Sequence, residues 1–135
     1  MDKDIINPDS LAPPRGFNHG IATEGGRLLF LAGQDGADAD EEIVAPGDLV
    51  AQFDQALRNH RTVVRAAGGT MDDIVKLNVF VADREDYLGK LEPLGEVFGS
   101  YFDEYPTMAL FEVSGFFKDE ALVELEGMAV IEDHA

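Results

Sequence analysis

A chain of 135 residues with 45% hydrophobic content holds one compact domain and a core of ordinary size. Without cysteine it has no disulfide framework and no thiolate to serve as nucleophile or metal ligand. A formal charge of −17, from 27 acidic against 10 basic residues, repels phosphate backbones and argues against a nucleic-acid partner.

The domain is expected to span residues 1–135, with 1–6 and 132–135 as flexible tails. Met1 to Ser10 is too polar for a secretory signal, and no apolar run reaches membrane-spanning length. A soluble cytoplasmic protein without a membrane partner follows, and its acidity also suits a high-salt cytoplasm. A Pro-rich lead-in, Asn7 to Gly16, precedes a strand through Asn18 to Thr23 and a turn at Glu24-Gly25-Gly26. Leu28 to Ala32 is a continuous apolar run ending at Gly33-Gln34, as in a strand covered on both faces. The Asp-rich stretch Asp35 to Glu42 lacks the glycine and terminal glutamate spacing of a calcium loop and reads as a solvated connection.

Leu49, Phe53, Leu57, His60 and Val64 recur at spacings of three and four and predict a helix from about Pro46 or Asp48 to Ala67, stopped by Gly68-Gly69. His60 on this apolar stripe reads as a hydrogen-bonded core or interface histidine. Arg58, Arg61 and Arg65 read as ion-pairing and helix-dipole partners rather than a nucleic-acid patch. Ile74 to Val81 predicts a strand with Leu77, Val79 and Val81 on one face and Lys76, Asn78 and Phe80 on the other. Asp83 caps a second helix through Phe102 that Pro93 must bend or interrupt.

In the last third, two strand-like runs have one apolar and one mixed face. Ala109, Phe111 and Val113 alternate with Met108, Leu110, Glu112 and Ser114, and Val123 and Leu125 alternate with Glu124, Glu126 and Met128. The apolar faces are expected beneath helices. The mixed faces are too apolar for open solvent and too acidic for a sealed core, which predicts a subunit interface enclosing a polar pocket. The order β-β-α-β-α-β-β implies an α+β fold, a single mixed sheet with two helices packed on one face. Covering the other face against a second copy takes roughly 800 Å² per partner.

No phosphate-cradling loop, dinucleotide fingerprint, nucleophile elbow or His-Glu-x-x-His is present. His19, His60 and His134 stand far apart without a neighbour at metal-ligand spacing, so neither a metal nor a cofactor is expected. His19, just before the first strand, is the histidine placed near a pocket.

From about Asn7 to Ile131 the chain resembles the RidA family, also called YjgF or L-PSP. The resemblance rests on the order and spacing of Ala12-Pro13-Pro14-Arg15-Gly16-Phe17, Gly33-Gln34, Gln52, Ala56-Leu57-Arg58-Asn59 and Ala66-Ala67-Gly68. Asp73-Ile74-Val75-Lys76, Val79-Phe80-Val81, Asp83, Tyr105-Pro106, Glu112-Val113 and Val123-Glu124-Leu125-Glu126 complete it. It implies a chorismate-mutase-like homotrimer with small-molecule clefts between subunits. Archetypal members hydrolyse enamines and imines such as 2-aminoacrylate and 2-iminobutanoate to 2-keto acids and ammonia.

Their defining arginine, two positions after the proline matched by Pro106, is replaced here by Met108. An arginine fork grips a carboxylate bidentately, and a thioether offers no charge. Phe17 stands where the family has tyrosine, Ala32 where serine is common before Gly33-Gln34, and Leu110 where a small polar or thiol residue is common. The family's pocket asparagine has no counterpart between Glu92 and Gly95. Glu124 matches the glutamate that positions water, so the cleft is expected as an apolar cavity with one carboxylate and no guanidinium.

In such surroundings desolvation raises the Glu124 pKa, which suits general acid–base work; the same carboxyl can instead hydrogen-bond backbone amides across the interface. Glu112 and Glu126 read as structural or solvated. Two functions remain open at this point. One is a RidA-like hydrolase of a small metabolite, weak or altered on amino-acid-derived imines. The other is a non-catalytic trimer that binds a small apolar metabolite or acts as a stress or chaperone-like protein.

Overall fold

The computed structural model describes residues 2–132. In chain order the elements are β1 (Asp2–Ile6), β2 (Gly20–Glu24), β3 (Arg27–Asp35), α1 (Leu49–Ala66), β4 (Ile74–Val81), α2 (Arg84–Leu88), α3 (Leu91–Gly99), β5 (Thr107–Glu112) and β6 (Val123–Ile131). Four strands form a mixed sheet in the order β3-β6-β4-β5, with β4 and β5 parallel and the other pairs antiparallel. The parallel pair needs a crossover, which α2 and α3 supply. No helix among the described residues is long and apolar enough to cross a membrane.

The α+β architecture is as the sequence implies, and three details differ. Residues 2–6, expected as a tail, form β1. This strand pairs with β2 in a separate two-stranded ribbon, so the sheet is not single. The second helix breaks at Gly89–Lys90, before Pro93, and becomes two. Pro93 then sits in the first turn of α3, where its missing N–H is one that no helical carbonyl would have met. Of the tail expected at 132–135, residues 133–135 lie outside the described residues.

The core lies between the sheet and α1 with α3. Leu49, Phe53, Ala56, Leu57 and Val64 of α1 bury against Leu77, Val79, Val81, Val123, Leu125 and Ala129. Asp48 caps α1 by accepting from the Ala51 amide. Buried Gln52 ties this helix to the turn before β6: its Oε1 accepts from the Leu122 amide at 2.8 Å and its Nε2 donates to the Glu120 carbonyl at 3.3 Å.

His60 is a core histidine, fully buried, with Nε2 2.6 Å from the Leu125 carbonyl oxygen. Burial lowers its pKa against the opposing effect of that bond. A neutral buried histidine adds stability above the ordinary value of 6.5, and this is lost as pH falls through the lowered folded value. His60→Phe removes the titration and leaves the Leu125 carbonyl unmet, at about 1–3 kcal/mol. Urea melts from pH 7.5 to 5 should show the variant less stable at neutral pH and flatter across the acid range; parallel curves would refute the assignment.

Cross-strand pairing sets which residues share a face. Leu77 and Val79 pair with Met108 and Leu110, so those two lie on the helix side of the sheet. Phe80 pairs with Phe111 and with Glu124, and its ring stacks on Phe111 at 5.6 Å, on the side away from the helices. The expectation that Ala109 and Phe111 lie beneath helices is thereby reversed for β5, because its parallel register follows β4 and not its own composition. Leu28, Phe30 and Phe111 leave the helix-free face 55%, 70% and 47% exposed, with Glu124, Glu126 and Met128 alongside.

Candidate functional site

A cavity of about 460 Å³ lies between the Pro-rich lead-in, α2–α3 and β5. Val79, Leu94, Phe98, Met108 and Leu110 form much of its wall, and Arg15 to Phe17 cover it. The cover is fastened by Asn18. Its amide donates to the Pro106 carbonyl at 3.0 Å, and its side-chain nitrogen donates to the Tyr105 carbonyl and to Glu104 Oε1 at 2.7 and 2.9 Å. His19 braces this segment from behind, its ring edge-on to Phe17 at 5.2 Å and its Nε2 2.7 Å from the Ala12 carbonyl oxygen. It supports the cavity without lining it.

One charged side chain, Arg15, lines the cavity. It makes no ion pair or hydrogen bond with the described residues, although the chain carries 27 acidic groups. Within one chain the Met108 cavity therefore does hold a guanidinium. The cation comes from the lead-in rather than from β5, and Gly16, at φ +74°, provides the turn next to it. Tyr87 is the other polar lining residue, and burial raises its pKa, so the phenol stays protonated.

Glu124 is elsewhere. With Gly33, Gln34, Asp35, Asn59 and Lys118 it borders a more open hollow of about 720 Å³ at the C-terminal end of β3. The register of β3 on β6 shifts between Leu31 and Gln34, which sets Gly33 against the Glu124 carboxyl; a β-carbon on Gly33 would stand 2.8 Å from Glu124 Cδ. Desolvation raises the Glu124 pKa, the negative charges of Asp35 and Glu126 add to the rise, and Lys118 opposes it. Lys118 is engaged with Asp35, Nζ to Oδ2 at 3.2 Å. Glu124 accepts no hydrogen bond from the described residues.

Within one chain the sequence-derived site therefore divides. Phe17, Met108 and Leu110 share the first cavity; Gly33, Gln34 and Glu124 share the second hollow; exposed Ala32 lines neither. Met108 and Glu124 lie on opposite faces of the sheet, so the two mixed strand faces do not meet within one chain. Sequence reading missed Arg15 and Tyr87 as lining residues. The available signal for Arg15 was a cation without an acidic neighbour in a strongly acidic chain; Tyr87 had none beyond its helical spacing.

An apolar cavity with one cation and a separate desolvated carboxyl thus sit on an α+β sheet that has one helix-free face. Residues 8–131 match the family described as Endoribonuclease L-PSP, and the chain belongs to this RidA/YjgF/L-PSP family. It is 32% identical to a RutC family protein of Pyrococcus horikoshii, over 94% of this chain and 97% of that one. It is 30% identical to a 2-iminobutanoate/2-iminopropanoate deaminase of Dermatophagoides farinae, over 90% and 92%. The structure matches a Rid-family protein of unknown function from Yersinia pestis with a TM-score of 0.88 at 31% identity, covering 97% of this chain and 100% of that one. It matches the YjgF product of Escherichia coli at 0.68, also at 31% identity, covering 80% and 84%.

Proposed function

We propose that this protein is an enamine/imine deaminase-like hydrolase of a small metabolite, working as a cytoplasmic homotrimer whose clefts join the Met108 cavity of one subunit to the Glu124 hollow of the next. The observation that carries the proposal is Glu124: half-buried, without a hydrogen-bond partner, and raised in pKa by desolvation. Ionised Glu124 takes a proton from water as its oxygen bonds to the C=N carbon and returns it to the nitrogen, giving a carbinolamine; it then takes the new hydroxyl's proton and passes it to the nitrogen as the C–N bond breaks, releasing ammonia and a carbonyl product. An enamine is first protonated at carbon by the carboxylic acid form. The raised pKa makes the carboxyl easier to protonate than a solvated glutamate, which suits a group that both takes and gives a proton. This chemistry calls for no metal, cofactor, nucleic acid or membrane.

Met108 supports weak or altered activity on small amino-acid-derived imines, because the β5 wall presents no cation to their carboxylate. Arg15, at the cover, is the group able to hold a carboxylate placed further from the reacting carbon. Separation of the cavity and the carboxyl in one chain favours a second reading, a trimer that binds a small metabolite without turning it over.

The test is keto-acid formation from 2-iminobutanoate generated by a dehydratase beside the purified protein. Slow turnover is expected for the natural chain. Met108→Arg should raise it by about tenfold or more, since one charge-assisted contact exceeds the 1.4 kcal/mol that a factor of ten represents. Fast turnover by the natural chain would overturn the assignment of Met108. Binding without turnover in either form would favour the second reading.

A further inference from the structure

β2 ends at Glu24 and β3 begins at Arg27, so Gly25 and Gly26 alone separate them. A two-residue Gly-Gly link between strands is a strong hairpin signal, and both glycines hold the φ of +80° that such a turn uses. The hairpin is nevertheless open. β2 is bonded to β1 and β3 to β6, with no ladder joining β2 to β3.

The arm, residues 2–24, instead reaches the opposite edge of its own sheet. Asn18 is bonded to residues 104–106 just before β5, and Lys3 Nζ donates to the Asp72 carbonyl just before β4. Two strand edges are thereby left unpaired among the described residues, one on β2 and one on β3. The β3 edge is nine residues long, contains no proline and carries exposed Leu28 and Phe30. An apolar edge of this length is a template for another strand.

We propose that β2 of one subunit pairs antiparallel with β3 of the next, so that the arm is exchanged around the trimer and Gly25–Gly26 serves as the open hinge. The proposal rests on the intersubunit cleft proposed above and specifies which chain builds each wall. The register is the one the short link would have set within a chain: Glu24 opposite Arg27, Thr23 opposite Leu28, Ile21 opposite Phe30, Asn18 opposite Gly33. It pairs a carboxylate with a guanidinium and isoleucine with phenylalanine, both favourable across strands. Phe17 and Arg15, which line the cavity of their own chain, then arrive beside the neighbour's Gly33 and hence its Glu124. The halves that one chain holds on opposite faces of its sheet become two walls of one cleft. Such a head-to-tail contact satisfies all its edges by closing into a ring.

The absence of natural cysteine makes cross-linking selective. Thr23→Cys with Leu28→Cys occupies a non-hydrogen-bonded pair, whose α-carbons about 4.5 Å apart suit a disulfide. Ile21→Cys with Phe30→Cys is a second such pair, used in case the first disturbs folding. After oxidation of the native protein, denaturing electrophoresis without reductant should show covalent dimers and trimers that collapse to single chains on reduction. A disulfide within one chain would mean a closed hairpin, and failure of both pairs to cross-link would mean that the edges do not meet; either overturns the exchange. Light scattering separates the two proposals: a persisting trimer with internal disulfides removes only the exchange, whereas a monomer removes the shared cleft as well.

Discussion

Glu124→Gln is expected to lower kcat/KM on an imine substrate by about 10²–10⁴-fold, the usual worth of a positioned general acid–base group. Glutamine keeps the shape of the side chain and its contact with Gly33 but can neither take a proton from water nor pass one to the departing nitrogen. Stability should move the other way. A carboxyl whose folded pKa lies above its unfolded value favours folding most below 4.5 and loses that contribution as pH rises through the folded value. At pH 7–8 the natural chain therefore carries a penalty from desolvation and from Asp35 and Glu126 that glutamine lacks. The variant should melt at the same temperature as the parent or higher, and the parent's activity should rise with pH across an inflection above 4.5. Full activity in Glu124→Gln would remove this residue from the chemistry, and a large drop in melting temperature would recast it as a structural group.

The largest stability effect belongs to Gly127, where β6 passes β4. A β-carbon built there stands 1.8 Å from the Lys76 carbonyl oxygen and 2.9 Å from its carbon. Both are backbone atoms of a strand held between β6 and β5, so no side-chain rotation relieves the overlap. Gly127→Ala must push β4 and β6 apart at the pair Leu77 and Gly127, opening the core beneath. An expected cost of about 3–5 kcal/mol is a large fraction of the total stability of a domain this size. Urea denaturation should show the midpoint falling sharply with little change in slope, or the variant should fail to accumulate as folded protein. An unfolding free energy within about 0.5 kcal/mol of the parent's would mean that the added β-carbon is taken up without parting the two strands.

Much of the architecture is legible in the residue pattern because local periodicity and burial agree. The stripe from Leu49 to Val64 forms α1, alternation from Ile74 to Val81 forms β4, and Asp83 caps α2 as expected, its side chain accepting from the Glu85 and Asp86 amides. The half-bare sheet could also be anticipated, since β6 alternates Val123 and Leu125 with Glu124 and Glu126. Arg15 was only faintly legible, as a cation without an acidic neighbour in a strongly acidic chain. Its position depends on Asn18 bonding to residues 104–106, contacts 86 and 87 positions away that leave no trace in the lead-in itself.

The amino-acid order by itself determined the family, the element types from β2 onward apart from the break between α2 and α3, and the candidate carboxyl, because these follow from spacing along the chain. Tertiary structure alone decided which side of the sheet each candidate faces and whether the Gly25–Gly26 link closes. A strand's alternation says that Met108 and Leu110 share a face but not which face that is; only pairing with Leu77 and Val79 assigns it. Likewise a Gly-Gly turn permits both a hairpin and an open hinge, and the bonds made by β1, by Asn18 and by Lys3 select the second.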